Sequence, residues 1–126
     1  MSLNPESTSV PYTLGRLFSV LEAIQENAVG KANSTIKDRY FSAASSSPSH
    51  VFPVLINLAQ KHLKKIRNDN EKKKSFVYYN KEMGEIIAKL DESYPSHLSI
   101  PQQGVFQLGY YHQTQYRYES KNKEEN

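Results

Sequence analysis

Between Ser47 and Arg67 the apolar residues Phe52, Leu55, Ala59, Leu63 and Ile66 recur at spacings of three, four, four and three. At about 100° per residue they share one stripe, the pattern of an amphipathic helix. Ser47 followed by Pro48 reads as its start, serine as cap and proline in the first turn. Pro53 lacks an N–H, so a kink or a tightened first turn is expected there. Lys61, Lys64 and Lys65 fall opposite the stripe with Arg67 at its flank, and no acid occurs between Ser47 and Arg67.

The same periodicity predicts four more helices. Leu14, Leu17, Phe18, Leu21, Ile24 and Ala28 make a stripe from Tyr12 to Val29, with Gly30 as its stop. Arg16 lies opposite that stripe, which places it on the wet side. Asn33–Ser46 is a short second helix, capped by Asn33, Ser34 or Thr35, with Ile36, Tyr40, Ala43 and Ala44 inward and Lys37 and Arg39 at its flanks. After a charged connector, Asn68 to Lys74, a fourth helix follows on Phe76, Tyr79, Met83, Ile86, Ile87 and Leu90. Its outer face carries Lys81, Glu85 and Lys89 at i, i+4 spacing. Tyr94-Pro95 breaks the chain, and Ser99-Ile-Pro-Gln102 is a capping-box start for a fifth helix reaching about Tyr118. No alternating strand pattern appears. The expected architecture is a single all-α bundle of about five helices over 10–119, with 1–9 a disordered start or an appended remnant and 120–126 a polar tail.

With 126 residues the chain suits one domain with its own core. It has no cysteine, which excludes disulfides, thiolate metal sites and a thiol nucleophile. No apolar run approaches the roughly 20 residues that span a bilayer, and no signal-peptide pattern opens the chain, so a cytoplasmic protein is expected. The net charge is +3, unevenly placed. Residues 61–74 hold Lys61, Lys64, Lys65, Arg67, Lys72, Lys73 and Lys74 against Asp69 and Glu71, a local +5 that leaves the remainder at −2. A concentrated positive patch suits an anionic partner.

Catalytic patterns are missing. His50, His62, His97 and His112 form no i, i+4 pair and no Glu-x-x-His motif, so the metal sites of helical bundles are not expected. Glu82 and Glu85 lack a base or ligand partner, and there is neither a phosphate-binding glycine loop nor a nucleophile elbow. The expectation is no enzyme and no cofactor. The fifth helix is unusual in spreading Tyr110, Tyr111, Tyr116 and Tyr118 around most of its circumference. Tyrosine combines a large ring with a polar tip, so Tyr110, Tyr111 and Arg117 are assigned to a protein interface, and Gly109 would let another helix approach closely.

Four segments, in order, carry a resemblance: Tyr12-Thr-Leu-Gly-Arg-Leu-Phe, Asn33-Ser-Thr-Ile-Lys-Asp-Arg-Tyr-Phe, Val51-Phe-Pro-Val-Leu and Leu108-Gly-Tyr-Tyr-His-Gln. Over roughly Val10 to Tyr118 the chain resembles the C-terminal part of the large subunit of the type I-C (Dvulg-subtype) CRISPR interference complex, Cascade. The resemblance implies a helical bundle similar to Cascade small subunits, touching the guide-bearing backbone subunits and steadying the target and displaced strands. It also implies an N-terminal region, associated with recognising the protospacer-adjacent motif, that this sequence lacks, and cleavage by a recruited helicase-nuclease.

In such complexes sequence is read by guide–target pairing while the protein tracks backbone. The expected partners are therefore other Cascade subunits, guide RNA and target DNA, with no membrane and no small-molecule substrate. Lys61, Lys64, Lys65 and Arg67 are the first candidates for phosphate contact, and Arg16, Lys37 and Arg39 the second. The alternative is a purely structural protein–protein module whose lysines keep it soluble.

Overall fold

A computed structural model describes the chain at residues 2–91 and 93–125, with side chains to Ser120. Five α-helices and two short 3-10 turns make the fold, and the described residues contain no strand. The helices are α1 (Val10–Val29), α2 (Ile36–Ser46), α3 (Pro48–Arg67), α4 (Lys73–Ala88) and α5 (Ile100–Glu125). None of the described helices is long and apolar enough to cross a membrane.

Helix α1 is the axis of the bundle. Ser9 starts it by accepting from the Tyr12 amide, Pro11 sits in its first turn, and Gly30 ends it at φ 92°, its N–H donating to Glu26 O. Every residue from Tyr12 to Gln25 is buried. The apolar stripe of the sequence accounts for one side of this burial. Thr13, Arg16, Ser19, Glu22 and Gln25 are buried as well, because α1 packs against α2, α3, α4 and α5 together. The outer helices follow one another around it: α5 touches α2, α2 touches α3, and α3 touches α4. Among the described residues α4 and α5 are the neighbours whose backbones stay farther than 8 Å apart, so the ring is widest on that side.

Helix α3 buries its predicted stripe, with Val51 and Pro48 added. It runs without a break through Pro53. The predicted Ser47 side-chain cap is not made: the His50 amide bonds the Ser47 carbonyl, and the Ser49 amide reaches Pro95 O. Helix α2 is likewise started from elsewhere in the fold. Gln25 Oε1 on α1 accepts from the Thr35 and Ile36 amides and from the Ser34 hydroxyl, while Asn33 caps α1 by donating to Val29 O. Ala43, expected inward, is exposed. The core centres on Phe18, whose ring meets Phe41, Phe106 and Tyr110 edge-on, and Phe52 stacks on Tyr94 at 5.5 Å.

Three boundaries differ from the sequence reading. The charged connector shrinks to a 3-10 turn, Asn70–Lys72, capped by Asp69, and α4 already begins at Lys73. The capping box at Ser99 is made in both directions, but α5 continues to Glu125 where a polar tail was expected. At the other end the expected disordered start is laid against the bundle over residues 2–9: the Asn4 amide donates to the Tyr12 hydroxyl, and Leu3 is partly buried. Met1 and Asn126 lie outside the described residues.

Candidate nucleic-acid interface

Two features set the geometry of the candidate residues: the position of α3 on the rim and the enclosure of α1. Because α3 commits one stripe to the core, its other side faces solvent, and Lys61, Lys64, Lys65 and Arg67 are all exposed there. No described ion pair engages them. Lys64, Lys65 and Arg67 occupy the last turn of the helix, where cations also complement its macrodipole. His62, partly buried on the same helix, has its pKa lowered by burial and then by Lys65.

Neighbouring α2 places Lys37 and Arg39 in solvent as well. The Lys37 ammonium lies 5.0 Å from the Tyr110 ring centroid, 5.7 Å from Tyr111 and 5.8 Å from Phe41. This aromatic seat holds the charge in place by cation–π attraction. Arg39 stacks over its neighbour Tyr40 at 5.6 Å. Of the connector lysines, Lys72 is tied to α1, its Nζ donating to Asn27 O at 2.6 Å in the last turn of that helix, whereas Lys73 and Lys74 are exposed.

Arg16 does not belong with these cations. It is 4% exposed and donates from Nε to Gln113 Oε1 at 2.9 Å. Burial pushes its pKa down, opposed by Glu82, Tyr12 and Glu85. The expectation that it faces water assumed that α1 buries a single stripe; α5 covers the opposite side. Tyr110 is a second correction. It is 3% exposed, packs on Phe18, and donates its hydroxyl to Glu22 Oε1, so it is core and not a protein interface. Arg117 is half-buried and donates from Nη1 to the Ser19 carbonyl at 3.0 Å, an anchor within the chain. Tyr111 alone of the three is exposed, at 55%.

The polar side of α1 and its counterpart on α5 went unseen in the sequence. Tyr12 bonds His112, Arg16 bonds Gln113, Ser19 bonds Thr114 and Arg117, and Glu22 bonds Tyr110. Burial raises the pKa of Glu22, with the Tyr110 hydrogen bond opposing, and it raises Tyr110 too. A signal was present: Thr13, Arg16, Ser19, Glu22 and Gln25 recur every three residues along α1, as Tyr110, Gln113 and Arg117 recur at three and four on α5. Both helices also carry a glycine at the crossing. A Cβ on Gly15 would stand 2.8 Å from Tyr110 N and against the Phe106 carbonyl, and one on Gly109 would stand 2.9 Å from the Tyr12 carbonyl carbon.

Among the described residues no group of three or more His, Cys, Asp or Glu side chains is placed to hold a metal ion. The arrangement is thus a basic rim on α2 and α3, and a polar seam that locks α1 to α5. A family model described as CRISPR-associated protein (Cas_Csd1) matches residues 1–118. A search of curated proteins finds no match.

Proposed function

The chain belongs to the Cas_Csd1 family of CRISPR-associated proteins, and on that premise we propose that it is a non-catalytic subunit or domain of a type I-C Cascade complex. In this reading it resembles a Cascade small subunit, acts in the cytoplasm, and contacts guide RNA or target DNA along the phosphate backbone while binding neighbouring subunits. The observation that carries the reading is the run Lys61, Lys64, Lys65 and Arg67, exposed on a helix that contains no acid. Such a face offers charge without a base-reading geometry, which suits sequence-independent phosphate contact. Lys37 and Arg39 on α2 extend it; Arg16 drops out because it is buried.

A second reading, a purely structural module, draws on the position of Lys64, Lys65 and Arg67 in the last turn of α3, where they stabilise the helix whether or not a ligand is present. Replacing Lys61, Lys64 and Lys65 by glutamate in the reconstituted complex separates the two. Assembly survives in both readings. R-loop formation falls only if the face meets nucleic acid, and unchanged R-loop formation would favour the structural module.

A further inference from the structure

A hollow of about 370 Å³ lies between the first turns of α4 and the later turns of α5. Lys74, Ser75, Tyr78 and Tyr79 of α4 line it with Arg117 and Ser120 of α5, and Asn27 of α1 lies beside them. Two cations and no carboxylate belong to that lining. Glu82 and Glu26 stand near the hydroxyls of Tyr78 and Tyr79, but neither lines the hollow. Lys72 brings a further cation to its edge, since its ammonium is tied to Asn27 O.

Both lining cations keep donors to offer. Lys74 is exposed, and no described ion pair engages it or Arg117. Arg117 commits Nη1 to the Ser19 carbonyl and hydroxyl. Its Nε and Nη2 make no described hydrogen bond, yet they are not among the buried unpartnered atoms, so solvent reaches them. Tyr78 is 40% exposed, and its ring meets that of Tyr79 edge-on at 5.3 Å, a contact that braces it without a parallel stack. Burial, and then Glu82, push the Tyr78 hydroxyl well above its ordinary range, so it adds no negative charge.

We propose that this hollow receives one nucleotide of a single-stranded nucleic acid, its phosphate between Lys74 and Arg117 and its base on the Tyr78 ring. Cations beside an aromatic face are the means by which single strands are held without sequence choice. The volume of 370 Å³ lies within the roughly 300–1,000 Å³ of small-ligand sites. A phosphopeptide would meet the cations but leave the tyrosine ring unused. The inference rests on the reading that the chain contacts nucleic acid, and adds a requirement that α3 does not impose. Exposed lysines on α3 accept paired and unpaired strands alike, whereas the hollow needs a base free of its partner. The basic stretch that starts on α3 at Lys61 ends in the hollow at Lys74, which links the two along one segment of chain.

The test uses the full chain and two fluorescein-labelled strands of about 12 nucleotides, an oligothymidylate and an abasic strand with the same phosphates. The proposal predicts that the thymidylate binds about fivefold or more tightly than the abasic strand. Tyr78→Ala removes that preference, Tyr78→Phe keeps it, and Tyr111→Ala, at an exposed tyrosine outside the hollow, keeps it too. Lys74→Gln weakens both strands alike and lowers the salt slope by about 0.7. A preference that survives Tyr78→Ala, or one that disappears with Tyr111→Ala, would overturn the proposal. So would a slope unchanged by Lys74→Gln, or a phosphoserine peptide that binds as tightly as the thymidylate. Equal binding of the two strands removes the base-receiving hollow and leaves phosphate contact by α3 standing. Binding of neither strand, even at low salt, removes both.

Discussion

The Tyr110 hydroxyl donates to the Glu22 carboxylate at 2.5 Å, with both side chains buried between α1 and α5. Burial raises the Glu22 pKa from an ordinary 4.5, so the folded chain holds this proton more tightly than the unfolded chain does. A group with a raised folded pKa gives a stabilisation that is complete below its unfolded pKa. That stabilisation is lost as pH rises through the folded value. Glu22→Gln should remove this component, so that the variant's Tm gains on the wild type as the pH is raised from about 4 toward neutral. Paired thermal melts across that range check the sign. Tyr110→Phe, which leaves the carboxylate buried without its donor, should cost about 2 kcal/mol at neutral pH.

Glycine substitutions divide cleanly by position. Gly15→Ala and Gly109→Ala drive a methyl group into the backbone of the facing helix and should each cost about 3 kcal/mol or prevent folding. Gly84 and Gly104 have nothing within 4 Å of an added Cβ and lie inside helices. Alanine there should stabilise by about 0.5–1 kcal/mol each. Urea denaturation of the four variants gives the comparison directly.

Arg16→Ala separates structure from binding. Because the side chain is buried and bonded to Gln113, its loss should lower stability by about 2 kcal/mol. Affinity of the folded variant for single-stranded DNA should stay within about twofold of wild type, since the proposed phosphate contacts are assigned to exposed cations. A specific loss of affinity without a loss of stability would return Arg16 to the interface.

Much of the fold was legible where a local rule and the tertiary contact agree. The α3 stripe, the reciprocal Ser99–Gln102 cap and the Gly30 stop each depend on residues near in sequence, and each is made. What failed depended on other parts of the chain. Ser47 and Thr35 look like caps, yet Pro95 O and Gln25 supply the bonds at those helix starts. Arg16 reads as a surface cation only while α1 is taken as a rim helix. Its burial follows from α5, whose Gln113 is 97 positions away. The tyrosines of α5 show the same limit: spacing could not tell that Tyr110 turns to Glu22 while Tyr111 turns to solvent. The basic face of α3 was fully legible because exposure opposite a buried stripe needs no knowledge of the partner helix.

The most direct test of phosphate tracking by α3 is fluorescence anisotropy of labelled single-stranded DNA titrated with the chain, repeated from low to physiological salt. Binding should weaken steeply with salt, log K falling with log salt at about −0.7 for each phosphate neutralised. It should be abolished in the variant carrying Lys61→Glu, Lys64→Glu and Lys65→Glu. Binding of equal strength in that variant, or none by the wild-type chain even at low salt, would contradict it.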